Sequence, residues 1–384
     1  MPTLPRAPRC RSILPFAVFA LMAVGLCGVT YAINAHYDIS ALDQSALITR
    51  LAALQTDSDL LVWQNAFDQR AWLRERLEDP RSNHEVVLIG SSTIGGLSAA
   101  MFPARTLLNG WLSAPTIEDF EAATVLLDRA SHRPQTVVLG IDAWFLNPVI
   151  DDQRWRSLTD EFIRYRRQQG DGMWVSRQRP LGLWAMLKER LTFATLRETA
   201  LFVRDARRSS EPLIPWLVRA TPAQYCLKLR TPEYIRTLVG DYVSCPALQS
   251  PQATVDSEAV TYVARNTHSM ADWTQVDVPR AQRLAAVVRH IRSMGVNVVL
   301  VAPPYHPSAY AALYSNTVTA RNLNETDRLL SSVARRTGAV YLNLRNPEKL
   351  GCATSDFLDS HHTKPSCGRK ISAHVVAAIS GSAA

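Results

Sequence analysis

The chain has 384 residues, of which 47% are hydrophobic and 20% are charged, and its formal net charge is +8. These proportions are ordinary for a globular protein with a sizeable core, and they exclude a wholly disordered chain. The length allows either two domains or one α/β domain with insertions.

The N-terminal segment predicts an extracytoplasmic location for the bulk of the chain. Three arginines within residues 1–11 precede an uncharged run over residues 12–33 that is rich in Ala, Val, Leu and Phe. A run of this length can cross the bilayer core as a helix, and its basic flank would stay in the cytoplasm. This pattern predicts a single-pass membrane protein with a periplasmic main domain. A signal peptide cleaved after Ala32 is the alternative.

Residues 34–83 alternate apolar and charged residues and are predicted to form a helical stalk, or to pack on the main domain. Short apolar runs then predict five strands, separated by segments with helical periodicity. The strands are expected at residues 86–89, 106–109, 136–141, 296–302 and 339–344. Alternating strands and helices predict a parallel sheet with helices on both faces, so residues 84–384 are expected to form a three-layer α/β/α domain.

A basic, Trp-rich insertion is predicted to interrupt this domain over residues 150–275. Residues 151–230 contain 16 Lys and Arg against 9 Asp and Glu, which accounts for nearly the whole net charge. Such a surface can bind anionic headgroups or acidic glycans, or it can be an ordinary solvated helical surface. Nucleic acid is not expected as a partner outside the cytoplasm. The stretch also carries four tryptophans, Trp155, Trp174, Trp184 and Trp216.

Four of the six cysteines lie beyond the N-terminal segment. In an oxidising compartment the short loops Cys226–Cys245 and Cys352–Cys367 are the simplest disulfide pairing, with free buried thiols as the alternative. None of these cysteines forms a CxxC pair, so a zinc site is not expected.

Polar residues follow several predicted strands at their carboxyl ends, where parallel sheets bind ligands. These residues are Ser92, Asn109, Asp142 and the loop that leads to His306. Ser92 comes directly after a strand and a glycine, a position in which a serine can act as a nucleophile and as an oxyanion donor. A helix cap or an anion-binding turn is the alternative.

A second candidate group lies near the C-terminus. His362 comes three residues after Asp359, so the carboxylate can hold the imidazole in one tautomer while the ring exchanges a proton with a serine. Two solvated histidines in a surface loop are the alternative. His361 and His362 beside Asp359 also suggest half of a metal site, but no further His/Asp/Glu cluster completes it, and no metal or cofactor is expected.

Together these residues resemble the blocks of the SGNH (GDSL-like) hydrolase family. Gly90-Ser91-Ser92 matches the first block with Ser92 as the nucleophile, and Asp359 with His362 matches the last block. The second block is echoed from Asn109 to Thr116, with Ala114 at the glycine whose N–H lines the oxyanion hole. The resemblance implies a flavodoxin-like α/β/α fold, and it covers about residues 80–150 and 280–380.

The third block departs from the family, because Asp142 stands where the family has an asparagine. An ionised Asp142 cannot donate a hydrogen bond to an oxyanion. Gly-Ser-Ser and Asp-x-Trp are more similar to the membrane-anchored envelope branch, which includes D-alanyl teichoic-acid transfer and polysaccharide O-acetylation proteins. That resemblance implies an acylated envelope glycan as substrate and a membrane-bound O-acyltransferase as partner. The basic stretch suggests that the glycan can be acidic.

The sequence therefore predicts an extracytoplasmic serine esterase or acyltransferase with Ser92, His362 and Asp359 as catalytic residues. Ala114, Asn109, Asp142 and His306 are the predicted oxyanion or substrate residues, although a loop histidine such as His306 is often incidental. Trp144 is expected in the core or in a pocket wall. The rival interpretations are an inactive SGNH-like scaffold that binds glycan, and a metal-dependent phosphoesterase.

Overall fold

A computed structural model of the chain describes residues 14–37, 45–57, 59–63, 67–171, 197, 200, 217–228 and 234–381. The chain divides into two compact units, Met1–Gln44 with Leu181–Pro215, and Ser45–Pro180 with Trp216–Ala384. In the first unit, helix α1 spans the 24 residues Leu14–Tyr37. Across the described ranges, no helix combines the length and the apolar character that crossing a membrane requires.

The second unit carries the other described helices and strands. In chain order they are α2 Ser45–Leu54, β1 Asp59–Trp63, α3 Gln69–Glu78, β2 Val86–Ser91, β3 Leu107–Leu112, α4 Ile117–Arg129, β4 Thr136–Gly140, α5 Thr159–Gln168, β5 Leu217–Arg219, α6 Pro222–Lys228, β6 Tyr234–Arg236, α7 Gln252–Val260, α8 Val278–Ser293, β7 Asn297–Ala302, α9 Pro307–Ser315, α10 Thr317–Thr337, β8 Val340–Asn343 and α11 Pro365–Gly381.

Five strands form a parallel sheet in the order β3-β2-β4-β7-β8. These are the five strands that the sequence predicts, so the α/β class with a parallel sheet is confirmed. Every residue of β2, β3 and β4 is buried. Their nearly continuous apolar sequences are explained by this burial, because the strands of a parallel sheet are covered on both faces.

The chain reverses its direction of winding beside β2, since β3 pairs on one side of β2 and β4 on the other. Ligands bind at such a switch point, beyond the carboxyl ends of the strands. Gly90 and Gly140 allow these two strand ends to approach closely: a Cβ on Gly90 would lie 2.8 Å from Cα of Gly140. The close approach brings the residues that follow β2 and β4 together, among them Ser92 and Asp142.

A second, antiparallel sheet has the order β5-β1-β6. Strand β1 lies within residues 34–83, so the prediction of a wholly helical segment there is wrong. All five residues of β1 are buried, because β1 is the central strand of this sheet. Its partners β5 and β6 come from the predicted insertion, which is therefore not wholly helical either. Of the four tryptophans within residues 151–230, Trp155 is buried and the other three lie outside the described residues.

Helix α3 packs on the main domain, which is the second of the two alternatives that the sequence leaves open for residues 34–83. Trp72 and Leu73 are fully buried. Arg70 forms a buried ion pair with Asp119 of α4, with 2.6 Å between Nε and Oδ1. Asp119 Oδ2 also accepts the backbone N–H of Thr116 over 2.8 Å, so it anchors the start of α4 as well. A helix with this much buried surface belongs to the core, whereas a stalk would expose it.

Two disulfide bonds join Cys226 to Cys245 and Cys352 to Cys367. These are the pairs that the sequence analysis favours. Each bond closes a loop of fewer than 20 residues, and both loops contribute residues to the candidate site described next.

Candidate active site

The nucleophile candidate Ser92 lies directly after strand β2 of the parallel sheet. Residues Ser92–Ile94 form one turn of 3₁₀ helix, and Ser91 caps this turn because its Oγ accepts the N–H of Thr93 over 3.1 Å. The hydroxyl of Thr93 donates to the buried carboxylate of Asp142 over 2.9 Å. The turn is thus tied to the ends of two neighbouring strands, which fixes Ser92 at the edge of the sheet.

The side chains of Ser92, His362 and Asp359 form a continuous hydrogen-bonded chain. The Oγ of Ser92 lies 2.8 Å from Nε2 of His362, and Nδ1 of the same ring lies 2.6 Å from Oδ2 of Asp359. The serine and the carboxylate therefore contact opposite ring nitrogens. In this arrangement the imidazole can accept the serine proton while the carboxylate fixes its tautomer and stabilises the imidazolium.

Asp359 is also held by the backbone of its own turn. Its Oδ1 accepts the N–H groups of His361 and His362 over 2.9 and 2.8 Å. Such a turn orients the carboxylate through local hydrogen bonds, independently of any substrate. The Cys352–Cys367 disulfide closes the loop that carries both the acid and the base. The catalytic geometry is therefore preorganised on the side of the histidine.

The local charges decide which histidine can act as a base near neutral pH. Burial alone would lower the pKa of His362, but the carboxylate of Asp359 outweighs burial and raises it above 6.5. Burial together with nearby His362 lowers the pKa of His361 to about 3 and that of His268 to about 4. Burial would raise the pKa of Asp359, but His362, His361 and their hydrogen bonds hold it well below its usual range. Among these three histidines, His362 alone has a raised pKa.

We therefore expect kcat/KM for ester cleavage to rise with pH through a pKa above 6.5, because His362 must be neutral to accept the serine proton. The measurement is the pH profile of p-nitrophenyl acetate cleavage. Asp359→Asn, which removes the carboxylate, should move the inflection to lower pH. The same raised pKa means that protonated His362 stabilises the fold fully below pH 6.5, and this contribution is lost as the pH rises through the raised value. A pH profile without an inflection, or an inflection that Asp359→Asn leaves at the same pH, would contradict the assignment.

Ala114 has a left-handed backbone conformation with φ of 41°, a region that favours glycine. Two side chains of α3 hold the residue before it. Gln69 Oε1 accepts the N–H of Ser113 over 2.5 Å, and Arg70 Nη2 donates to the carbonyl of Ser113 over 3.3 Å. Tertiary contacts thus stabilise a strained conformation at the position predicted to supply an oxyanion N–H.

Asp142 has a different role from the predicted oxyanion or substrate contact. Its side chain is buried, and Oδ1 accepts the hydroxyl of Thr93 in the nucleophile turn. Burial raises the pKa of Asp142, and hydrogen bonds from Ser91 and Thr93 offset this only in part. The carboxyl group therefore supports the turn that carries Ser92. The departure from asparagine therefore lies at a side chain that contacts the nucleophile turn.

Asn109 also supports the nucleophile loop, which corrects its predicted role as a substrate contact. It is fully buried. Its Nδ2 donates to the carbonyl oxygens of Ile94, Gly95 and Leu97 over 3.0 to 3.2 Å. These contacts occupy the amide, so Asn109 holds the segment that follows Ser92 in place.

His306 is likewise structural, and its predicted contact with substrate is corrected. The side chain is fully buried, and its Nε2 lies 3.0 Å from Oδ1 of Asp256. Nδ1 accepts the N–H of Ser308, which makes His306 the cap of α9. Its backbone N–H donates to the carbonyl of Ser360 over 3.0 Å. His306 thereby links α7 and α9 to the loop of the catalytic histidine.

A pocket of about 270 Å³ opens beside the serine and the histidine. It is lined by Ser92, Trp111, Tyr234, Tyr242, Leu358, Asp359 and His362. The three aromatic residues are missed by the sequence analysis. A signal exists for Trp111, because it lies two residues after Asn109 in a strand, and side chains two positions apart share a face. No local signal marks Tyr234 and Tyr242, which reach the pocket from the predicted insertion.

A strained turn packs against His361, the neighbour of the catalytic base. Asn266, His268 and Ser269 have φ values of 53°, 52° and 53°, which is unusual for residues that carry a Cβ. The ring of His268 stacks on Trp144 at 5.1 Å and meets His361 edge-on at 5.2 Å. Trp144 is 3% exposed and belongs to a hydrophobic core cluster, the first of its two expected locations.

Asp359, His361 and His362 bring three potential metal-ligand atoms within 4.8 Å of one another. Both ring nitrogens of His362 already have partners in Ser92 and Asp359. A metal ion bound by His362 would therefore have to replace the contact between the histidine and either the serine or the carboxylate. The donor arrangement fits a proton relay better than a metal centre.

No protein-family model matches this sequence, and no curated protein matches it. The resemblance to SGNH hydrolases thus rests on the residues and their arrangement.

Proposed function

We propose that this chain is a serine esterase or acyltransferase of the SGNH type that acts through an acyl-Ser92 intermediate. The observation that supports this most strongly is the contact of 2.8 Å between Ser92 Oγ and His362 Nε2. The two residues are far apart in sequence, and a scaffold without catalysis would not require their side chains to meet. The bond from His362 to Asp359 completes the arrangement that activates a serine.

The proposed reaction has two steps with one proton relay. His362 takes the proton of Ser92 as Oγ attacks the ester carbonyl, and it then returns the proton to the leaving alcohol. Water or an acceptor hydroxyl attacks the acyl-enzyme, again with His362 as the base, and Ser92 is restored. The oxyanion would be stabilised by the N–H groups of Ser92 and Ala114. Asp359 stays ionised throughout and stabilises the imidazolium.

The strand order supports the finer fold assignment within this proposal. Counted along the parallel sheet alone, the order is 2-1-3-4-5, which is the flavodoxin-like order. The catalytic serine follows the first strand at the switch point, where this class of sheet binds its ligands. A three-layer α/β/α domain of the SGNH type, with a membrane anchor at residues 12–33, is the architecture we propose.

The proposed location is the oxidising side of a membrane. Two disulfides support it, because such bonds persist in the periplasm and in secreted proteins and are rare in the cytosol. In this setting the substrate would be an acylated envelope glycan, and a membrane-bound O-acyltransferase would be the partner that makes or uses the ester.

Covalent labelling tests the nucleophile directly. We expect a fluorophosphonate probe to modify the wild-type chain once, and peptide mass spectrometry to locate the adduct on Ser92, because the triad activates this hydroxyl alone. Thermal denaturation before labelling is the matched control, since it leaves the sequence unchanged and should abolish the modification. An adduct on another serine, or a folded chain that neither labels nor releases acyl groups, would favour the inactive scaffold.

A further inference from the structure

The pocket beside the triad has an aromatic wall made by three side chains. Trp111 comes from β3 of the parallel sheet, Tyr234 from β6 of the small antiparallel sheet, and Tyr242 from the turn that follows β6. Tyr234 is 45% exposed, so its ring is accessible at the mouth of the pocket. The wall beside Ser92 is therefore built from residues of both sheets.

The wall continues behind the pocket as a stacked aromatic layer. Trp63 is nearly parallel to Trp111 and to Tyr234, at centroid distances of 6.1 and 5.8 Å. The guanidinium of Arg236 lies 4.2 Å from the ring centre of Trp111, and its Nη2 donates to the carbonyl of Trp111 over 2.5 Å. Offset stacking and cation–π contacts of this kind fix the rings in position. The surface is rigid before any ligand binds.

The segment Tyr234–Cys245 sets the distance of this wall from Ser92. The backbone N–H of Tyr242 donates to the carbonyl of Gly95 over 3.1 Å, and Asp241 accepts the N–H of Ala99 over 3.0 Å. Gly95 and Ala99 both lie in the segment that follows Ser92. Gly240 has φ of 89°, and a Cβ at this position would lie only 1.9 Å from the carbonyl oxygen of Asn109. No larger residue fits there.

The charges and the size of the pocket restrict its ligand. Of its seven described lining residues, none is Lys or Arg, and the carboxylate of Asp359 is engaged by His362. The cation of Arg236 is fully buried among the tryptophans. A volume of about 270 Å³ is small beside the usual range for drug-sized ligands. One uncharged ring with a short ester suits this volume and the lack of Lys and Arg in the lining better than a long acyl chain or an anionic group does.

We propose that Trp111, Tyr234 and Tyr242 form a subsite for one uncharged sugar ring, which presents its short acyl ester to Ser92. A pyranose has an apolar face of C–H bonds for the aromatic rings and a hydroxyl edge for the phenol groups. This inference rests on the proposed function and names its substrate more narrowly. It also departs from the acidic glycan that the net charge of the chain suggests.

Steady-state kinetics on three esters test the subsite. They are methyl 6-O-acetylglucoside, the corresponding O-acetylated methyl glucuronoside, and p-nitrophenyl acetate, which lacks a sugar. Tyr234→Ala should raise KM for the acetylglucoside by about 3- to 10-fold, the range of one aromatic contact, and change kcat/KM for p-nitrophenyl acetate by less than about twofold. Tyr234→Phe keeps the ring but loses the phenol hydroxyl, so its KM for the acetylglucoside should lie between those of the wild type and Tyr234→Ala. Tyr310→Ala, which removes a ring on α9 outside the pocket lining, is the matched control.

Equal effects of Tyr234→Ala on the sugar ester and the sugar-free ester would overturn the subsite, as would a glucuronoside that binds as tightly as the glucoside. Saturation-transfer NMR of methyl glucoside on the Ser92→Ala variant detects sugar binding without catalysis, and Tyr234→Ala in that background should weaken the signal. Fluorophosphonate labelling reports on the triad alone. A labelled chain without sugar binding rejects the subsite, and sugar binding without labelling rejects the enzyme.

Discussion

Replacing Ser92 with alanine is expected to lower kcat for ester cleavage by about 10⁴- to 10⁶-fold, the range seen when a triad nucleophile is removed. The reason is geometric, because the hydroxyl that lies 2.8 Å from His362 is the group whose proton the imidazole can take. Substrate KM and the melting temperature should change little, since an alanine methyl fills most of the same space. The measurements are steady-state kinetics on p-nitrophenyl acetate and thermal unfolding by circular dichroism.

Ser91→Ala is the matched control for this variant. Ser91 is the adjacent serine, and its Oγ contacts Thr93. Its loss removes a cap from the nucleophile turn but leaves the hydroxyl of Ser92, so a loss of activity far smaller than that of Ser92→Ala is expected. If the two variants lost activity equally while both stayed folded, Ser92 would not be the nucleophile.

Replacing His362 with alanine should reduce kcat by a similar factor, about 10⁴- to 10⁶-fold, because the general base and acid is lost in both steps. The double variant with Ser92→Ala should be no worse than either single one, since residues of one triad act as a unit. Stopped assays at high enzyme concentration measure the residual rates. The pH dependence above 6.5 should disappear with the side chain.

His361→Ala provides the comparison within the same dipeptide. Its ring lies 4.2 Å from that of His362, centroid to centroid, but it contacts Ser360 instead of Ser92. We expect an activity loss of about tenfold or less, from looser packing of the loop. A metal centre predicts the opposite, namely that both histidines are equally essential and that chelators abolish activity. This pair of variants therefore separates the hydrolase from the metal-dependent phosphoesterase.

The sequence carries most of the information about the parallel sheet. Each of its five strands is a short apolar run with a turn or a polar residue after it, and parallel neighbours need no further signal. The position of Ser92 follows from the same logic, because residues at the carboxyl ends of such strands share one edge. Asp359 and His362 are indicated by their spacing of three residues and by their resemblance to the last SGNH block. Local sequence is sufficient to predict these strands because each strand is marked by its own residues.

The antiparallel sheet is not predictable in this way. Strand β1 follows a helical segment, and its apolar residues continue the helical spacing that begins with Leu51 and Leu54. Its partners β5 and β6 lie far along the chain, between β4 and β7 in the sequence. Nothing near β1 therefore distinguishes it from a helix. Tyr234 and Tyr242 are missed for the same reason. Asn109 and His306 lie at the predicted edge of the sheet, but their side chains form hydrogen bonds with other protein groups. Residue spacing does not indicate whether a side chain contacts the protein or a substrate.

Helix α3 changes where this protein can be shortened. A boundary at residue 84, which the stalk interpretation recommends for a minimal catalytic fragment, would delete Gln69 and Arg70. Asp119 would then be a buried carboxylate without its counter-ion, a loss of about 3–5 kcal/mol when one partner of such a pair is removed. The loop of Ala114 would lose its support as well. The shortest useful recombinant fragment accordingly begins before α2, at about residue 45.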